Sequence, residues 1–366
     1  MKLYIIAGEA SGDLHASNLV KQIRLINPQV QFRGFGGDLM QNQGVHLTKH
    51  YSETAFMGFF EVLTHLNKIM GFIELCKKDI ISWKPDALIL VDYPGFNLRI
   101  AEFAKNMGLK VFYYISPQVW AWKASRVNKI KKYVDRMFVI LPFEKSFYGK
   151  WGHEVEFVGH PLLDALSGFE SNKNQGAKDD EQIVALLPGS RRQEIKKVLP
   201  VMTSVIKDFP GYRFIVAGVG SVEKQVYQSI IQKSRCEIIF NDTYSLLATA
   251  MAAIVTSGTA TLETALFNVP EVVCYKANPV SVFLARKMVS IKYISLVNLI
   301  ADKEVVKELI QHQANYENIK FELKRLLEDN NYRNRILSDY EMLKNKLGGM
   351  GASQKTAAAI LEMLQN

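Results

Sequence analysis

Residues 3–7 (LYIIA) form an unbroken apolar run that passes directly into the loop GEASGDLH (8–15), with a periodic segment over 13–26. A short continuous run of this kind reads as a strand buried on both faces, and the 3.6-residue period after it reads as a helix. The same succession recurs. Ala87–Val91 precedes VDYPGFN (91–97) and a periodic segment over 97–107, while Val111–Ile115 precedes another over 125–134 and Met137–Leu141 follows. In the second half Ile183–Leu187, Phe214–Ala217, Ala253–Thr256 and Val272–Tyr275 read as strands. Alternation of buried strands with helices predicts an α/β fold built on parallel sheets. Residues 167–182 (SGFESNKNQGAKDDEQ) are nearly devoid of apolar side chains and read as a linker or exposed loop. Beyond residue 303 the pattern reads as wholly helical, ending in an amphipathic helix over 351–365. The 366 residues therefore predict two α/β domains and a helical tail.

With 48% hydrophobic and 22% charged residues, the composition is that of a globular chain. The net charge of +9 is spread over both halves and forms no basic tail. It suits anionic small molecules or an anionic membrane surface better than nucleic acid. Cys76, Cys236 and Cys274 make neither a disulfide framework nor a CxxC metal site, so a reducing cytosol is expected. The apolar run at the N-terminus is too short for a signal peptide, and no stretch approaches the roughly 20 apolar residues of a membrane span.

Open parallel sheets bind ligands at the carboxyl ends of their strands, so the loops there hold the candidate chemistry. Glu9, Asp13 and His15 place three ionisable groups at one strand end; the plain alternative is a turn whose Ser11 or Asp13 caps the next helix. Asp92 follows a buried run directly and is backed by Pro94 and Gly95. It is placed as a general base would be, or as a cap for a helix starting near Asn97. SPQVWAW (116–122) carries Trp120 and Trp122, which share a face at a period of two and read as core or as an aromatic wall. In LLPGSRRQE (186–194), Gly189 and Ser190 open a helix and Arg191 adds a fixed cation, without the Lys-Ser/Thr pair of an ATP-binding P-loop. A second helix opening lies at SGTATLE (257–263). Two anion-seeking starts with a nearby carboxylate, Glu263, suit a nucleoside diphosphate. Residues 56–76 (FMGFFEVLTHLNKIMGFIELC) carry a stripe of Phe59, Leu63, Leu66, Met70 and Ile73, with Phe60, Val62, Ile69 and Phe72 off it. That is a core helix or a membrane-contacting one. The basic run Lys123, Arg126, Lys129, Lys131, Lys132 and Arg136 is a solvated face or a headgroup site.

GEASGD (8–13), MGFFEVL (57–63), VDYPGFN, SPQVWAW, LPFEK (141–145), GHPLLD (159–164), LLPGSR, SGTATLE and SLVNLIAD (295–302) occur in the order found in bacterial lipid-A-disaccharide synthases, and the chain resembles that family along essentially its whole length. Val297 stands where the family commonly has Pro, and Gly95 where some members carry a second acid. The resemblance implies a GT-B fold of two facing Rossmann-like domains: 1–166 for the acceptor and membrane, 167–182 as connection, 183–345 for the UDP-sugar, and 346–366 crossing back to the first domain. It implies joining of UDP-2,3-diacylglucosamine to 2,3-diacylglucosamine 1-phosphate, with a β-1,6 linkage and release of UDP, at the cytoplasmic face of the inner membrane. The expected catalytic residues are Asp92, with Glu9, Asp13 and His15 in reserve. UDP is expected on Gly189, Ser190, Arg191, Glu194, Ser257, Gly258, Thr259 and Glu263. The acceptor is expected on Ser11, Asn97, Ser116, Gln118, Trp120 and Trp122, and membrane contact on Phe59, Phe60, Leu63, Leu66, Met70 and Phe72. No metal or cofactor is expected, and a homodimer is among the assemblies open to such a chain. The competing readings are a UDP-sugar epimerase of the same fold and a non-catalytic basic protein that binds membrane or nucleic acid.

Overall fold

The computed structural model describes residues 1–54, 66–122, 124–170, 182–232, 234–277 and 292–365. The chain divides into two compact units, Met1–Leu166 with Leu347–Asn366, and Ser167–Lys346.

Unit 1 holds a sheet of seven strands: β1 (Lys2–Ala7), β2 (Gln31–Gly36), β3 (His46–His50), β4 (Ala87–Val91), β5 (Lys110–Tyr114), β6 (Arg136–Val139) and β7 (Glu156–Phe157). Their order is β3-β2-β1-β4-β5-β6-β7 and every pairing is parallel. Unit 2 holds β8 (Ile183–Leu187), β9 (Arg213–Gly218), β10 (Cys236–Phe240), β11 (Ala250–Thr256), β12 (Glu271–Tyr275) and β13 (Lys307–Ile310). Their order is β10-β9-β8-β11-β12-β13, again all parallel. In each sheet the chain starts at the middle, winds outward to one edge, then returns and winds to the other. The strand order therefore reverses between β1 and β4, and between β8 and β11. Crevices at such reversals are where open α/β sheets bind ligands.

The central strands are those the apolar runs predict: all five residues of β4 are buried, as are all five of β8. β13 corrects the expectation of an all-helical chain past residue 303. It is a four-residue edge strand (KELI) beside β12, mostly half-buried, and two charged residues leave no apolar run to signal it. The helix Leu162–Glu170 takes the first residues of the expected 167–182 linker, and 171–181 lie outside the described residues.

The last helix, Ala352–Gln365, packs along the helix Ala10–Ile26 of unit 1. Its N-terminus is fixed by Asp164, whose carboxylate accepts from the amides of Gly351 (2.6 Å) and Ser353 (3.0 Å). An acid on the first free N–H groups of a helix meets both their hydrogen-bonding need and the helix dipole.

Candidate active site

In unit 1 the reversal sets the ends of β1 and β4 side by side, Ala7 opposite Val91. The next residues are Gly8 and Glu9 on one strand, Asp92 and Tyr93 on the other. Asp92 (φ 44°) and Tyr93 (φ 48°) are both left-handed, a conformation costing about 1–2 kcal/mol per non-glycine residue. Two side chains hold the turn in place through three hydrogen bonds. The fully buried Asn97 donates to the carbonyls of Val91 (3.2 Å) and Asp92 (2.7 Å), and the Tyr113 hydroxyl donates to the Asp92 carbonyl (2.5 Å). Pro94 then starts the helix Pro94–Asn106 with a preset φ. The Tyr93 ring stacks on Phe96 at 5.5 Å and lies against Gly8, where a Cβ would stand 2.4 Å from the ring. Gly8 is therefore required by close approach.

The N-cap of Pro94–Asn106 is Tyr93, without a side-chain bond, so Asp92 does not cap that helix. Its half-buried carboxyl is pushed up to about 7, chiefly by burial and then by the Glu9 carboxylate, with the Tyr93 amide opposing. A carboxyl poised near neutrality can take a proton and still be ionised enough to act.

The other reserves sit elsewhere. Asp13 accepts from the amides of Gly37 (2.8 Å), Leu39 (3.0 Å) and Met40 (3.1 Å), organising the turn after β2. His15 is buried and held neutral, lowered to about 4 by burial against the pull of Asp164, and it neighbours His160. The cluster of three ionisable groups at one strand end thus reduces to Glu9. Ser11 lies exposed inside the helix Ala10–Ile26 and caps nothing.

Among the expected acceptor contacts, Asn97 is turned inward onto the turn, and Ser116 is buried with its hydroxyl 2.7 Å from that of Tyr148. Gln118 is exposed. Trp120 is half-buried, donates to Glu144 Oε1 (3.3 Å) and lies perpendicular to the Phe143 ring at 4.9 Å. The segment Val119–Trp122 is a helical turn, so the strand-like sharing of one face by Trp120 and Trp122 does not apply. The side chain of Trp122 lies outside the described residues.

In unit 2 the two expected helix starts flank a single reversal, after β8 and after β11. Gly189 is left-handed (φ 101°), and a Cβ there would lie 2.8 Å from Glu194 Oε2. The helix Arg192–Thr203 has Arg191 as its N-cap, with no side-chain bond to its amides; Ser190 and Arg191 are exposed. Arg191 donates to Glu194 Oε1 at 3.1 Å. Across the reversal, exposed Gly258 is the N-cap of the helix Thr259–Leu266, again without a side-chain bond, and Thr259 is exposed. Ser257 is committed to the Ile294 carbonyl (2.8 Å). Glu263 accepts from the Tyr244 hydroxyl (3.0 Å), and burial raises its carboxyl. Tyr244, bonded to Glu263, and Tyr275, acted on by the charges of Glu194 and Arg191, also belong to this site, and no motif surrounds them to signal it.

Phe59, Phe60 and Leu63 lie outside the described residues, as does the side chain of Leu66. On the helix Leu66–Trp83, Phe72 packs against the core, whereas Met70 (47%), Leu75 (39%) and Ile81 (50%) are exposed. The basic run is partly spent on Lys129–Glu102 and Arg136–Glu156 pairs. Among the described residues no helix is long and apolar enough to cross a membrane, and no group of His, Cys, Asp and Glu could hold a metal ion.

Two parallel sheets of this winding, each with polar groups gathered at its reversal, define a protein of the GT-B class. The fold is similar to that of UDP-GlcNAc 2-epimerase from Neisseria meningitidis bound to UDP-GlcNAc (TM-score 0.67, 12% identity, 100% of each chain). It is also similar to CalG4, the calicheamicin glycosyltransferase (TM-score 0.62, 15% identity, 100% of this chain and 98% of that one). The chain belongs to the lipid-A-disaccharide synthetase family, whose pattern matches residues 3–363. It is 39% identical over 373 residues to the lipid-A-disaccharide synthase of Geobacter metallireducens, covering 99% of this chain and 97% of the relative. It is accordingly a glycosyltransferase of lipid A biosynthesis. The epimerase likeness is one of fold alone, and neither that reading nor the non-catalytic one is favoured.

Proposed function

We propose that this chain joins UDP-2,3-diacylglucosamine to 2,3-diacylglucosamine 1-phosphate, with Asp92 as the general base. The acceptor's 6-hydroxyl gives its proton to the Asp92 carboxylate as its oxygen attacks the anomeric carbon of the donor. The bond from that carbon to the diphosphate oxygen breaks, and its electron pair leaves with UDP. Attack opposite the leaving group gives the β-1,6 linkage. The observation that supports this most is a carboxyl held near neutrality on a braced, left-handed turn at the sheet reversal. Purified protein given both substrates should form disaccharide and UDP in equal amounts. UDP release without disaccharide, or no reaction, would reject the assignment.

The same reading places the diphosphate at the uncapped starts of Arg192–Thr203 and Thr259–Leu266, where free amides and the dipole favour an anion. Arg191 would leave Glu194 for the ligand, and the remaining Glu263 oxygen would take a ribose hydroxyl. Hydrogen bonds to a charged group are worth about 1.5–3 kcal/mol, so Arg191→Ala should weaken UDP binding by at least tenfold in calorimetry. Unchanged affinity would leave Arg191 as a surface ion pair.

Acylated substrates also favour work at a membrane surface. The exposed apolar residues of Leu66–Trp83 (Met70, Leu75 and Ile81), interspersed with exposed Lys68 and Lys78, suit peripheral contact with anionic lipid. Met70→Ser with Leu75→Ser should reduce binding to anionic liposomes at unchanged melting temperature. A fall in stability instead would make these residues structural.

A further inference from the structure

Another buried acid stands at the strand ends of unit 1, and the transfer step does not use it. Glu144, in the first turn of the helix Pro142–Gly149, is 1% exposed. Its Oε2 accepts from the amides of Ile140 (3.2 Å) and Leu141 (2.9 Å), just past the end of β6. Its Oε1 accepts from the indole nitrogen of Trp120 (3.3 Å), and the Ser116 hydroxyl, which donates to the Pro117 carbonyl (3.0 Å), lies close enough to lower the same carboxyl. Ser116 is held in turn by Tyr148 of the same helix (2.7 Å). One carboxyl therefore gathers the loop after β5 and the loop after β6.

A buried carboxyl of this kind is costly unless its bonds are made, and here they are made to two neighbouring strand ends. With its single donor committed to Glu144 and its ring perpendicular to that of Phe143, half-buried Trp120 keeps part of its surface open for contact. An indole face packs on the C–H side of a hexose ring or on an acyl chain, giving contact area with little entropy cost. β5 lies next to β4, so this loop adjoins the Asp92 turn.

We propose that Glu144 is a positioning residue for the acceptor sugar, acting through the orientation of Trp120. This rests on the reading of unit 1 as the acceptor side. Glu144→Gln keeps an oxygen for the Ile140 and Leu141 amides but turns an NH₂ toward the Trp120 N–H, so that this bond is the one lost. Trp120→Phe removes the same donor and keeps a ring.

Each variant should raise the acceptor KM about tenfold. The donor KM should stay within twofold, UDP affinity should be unchanged, and the melting temperature should hold within a few degrees. Because the two act through one bond, the double variant should be no worse than the poorer single one. Calorimetry with 2,3-diacylglucosamine 1-phosphate alone should show the same loss without turnover. Wild-type acceptor affinity in Glu144→Gln would overturn the proposal and leave the function standing, as would additive effects. A uniform fall in activity together with melting temperature would reduce Glu144 to a structural cap. A wild-type protein that binds no acceptor would take down both.

Discussion

Asp92→Asn is expected to lower kcat by two to four orders of magnitude while raising the melting temperature above pH 7. The first effect follows from removing the basic oxygen at fixed shape, since a positioned base contributes about 10²–10⁴-fold. The second follows from linkage. Burial and Glu9 lift the Asp92 carboxyl from its ordinary value near 4 to about 7 in the folded chain. The folded state thus holds this proton more tightly than the unfolded state, and its contribution to stability is fully present below about pH 4 and lost as pH rises through about 7. Asparagine carries no charge to bury and tolerates the left-handed conformation at least as well. The stability gap between variant and wild type should therefore be small at pH 4, open between 4 and 7, and stay level above. Turnover within tenfold of wild type would move the base elsewhere, first to Glu9, the carboxylate whose charge acts on Asp92.

Gly8→Ala should cost about 10²-fold in kcat without touching UDP affinity. The added Cβ would stand 2.4 Å from the Tyr93 ring, so the ring or the β1 end must move. Tyr93 follows Asp92 in a pair of consecutive left-handed residues, and neither can be displaced without rotating the other. Overpacking of this kind costs about 1–3 kcal/mol of stability, and a displacement of about 1 Å at a reacting group can cost about 10²-fold. UDP is assigned to the other unit, so calorimetry should report wild-type affinity. Full turnover in this variant would show that the turn has slack the packing does not reveal.

The central strands were legible because parallel strands covered on both faces leave continuous apolar runs, as in β1, β4 and β8. The edges were not: β3 (HLTKH) and β13 (KELI) are only partly covered and retain polar side chains. At the site, Asp92 could be picked out by its place after a buried run. Asp13 and His15 could not be told from it, because the groups that occupy or surround them come from residues 37–40 and 160–164. Asn97 carried the opposite difficulty. It looked like a ligand contact, but its partners are backbone carbonyls five and six residues earlier, in a turn whose left-handed form no local pattern announces. Glu144 was visible only as a letter in LPFEK, since the indole it binds lies 24 residues away.

The most direct test of Asp92 as a base poised by its neighbours is the pH dependence of kcat/KM in wild type, Glu9→Gln and Asp92→Asn. Wild type should lose activity as pH falls through about 7, the value to which burial and Glu9 bring Asp92. Removing the Glu9 charge should shift that acid limb to lower pH, because one of the two causes of the raised value is gone. Asp92→Asn should abolish the limb along with most of the rate. An acid limb that stays in place in Glu9→Gln and persists in Asp92→Asn would contradict the account.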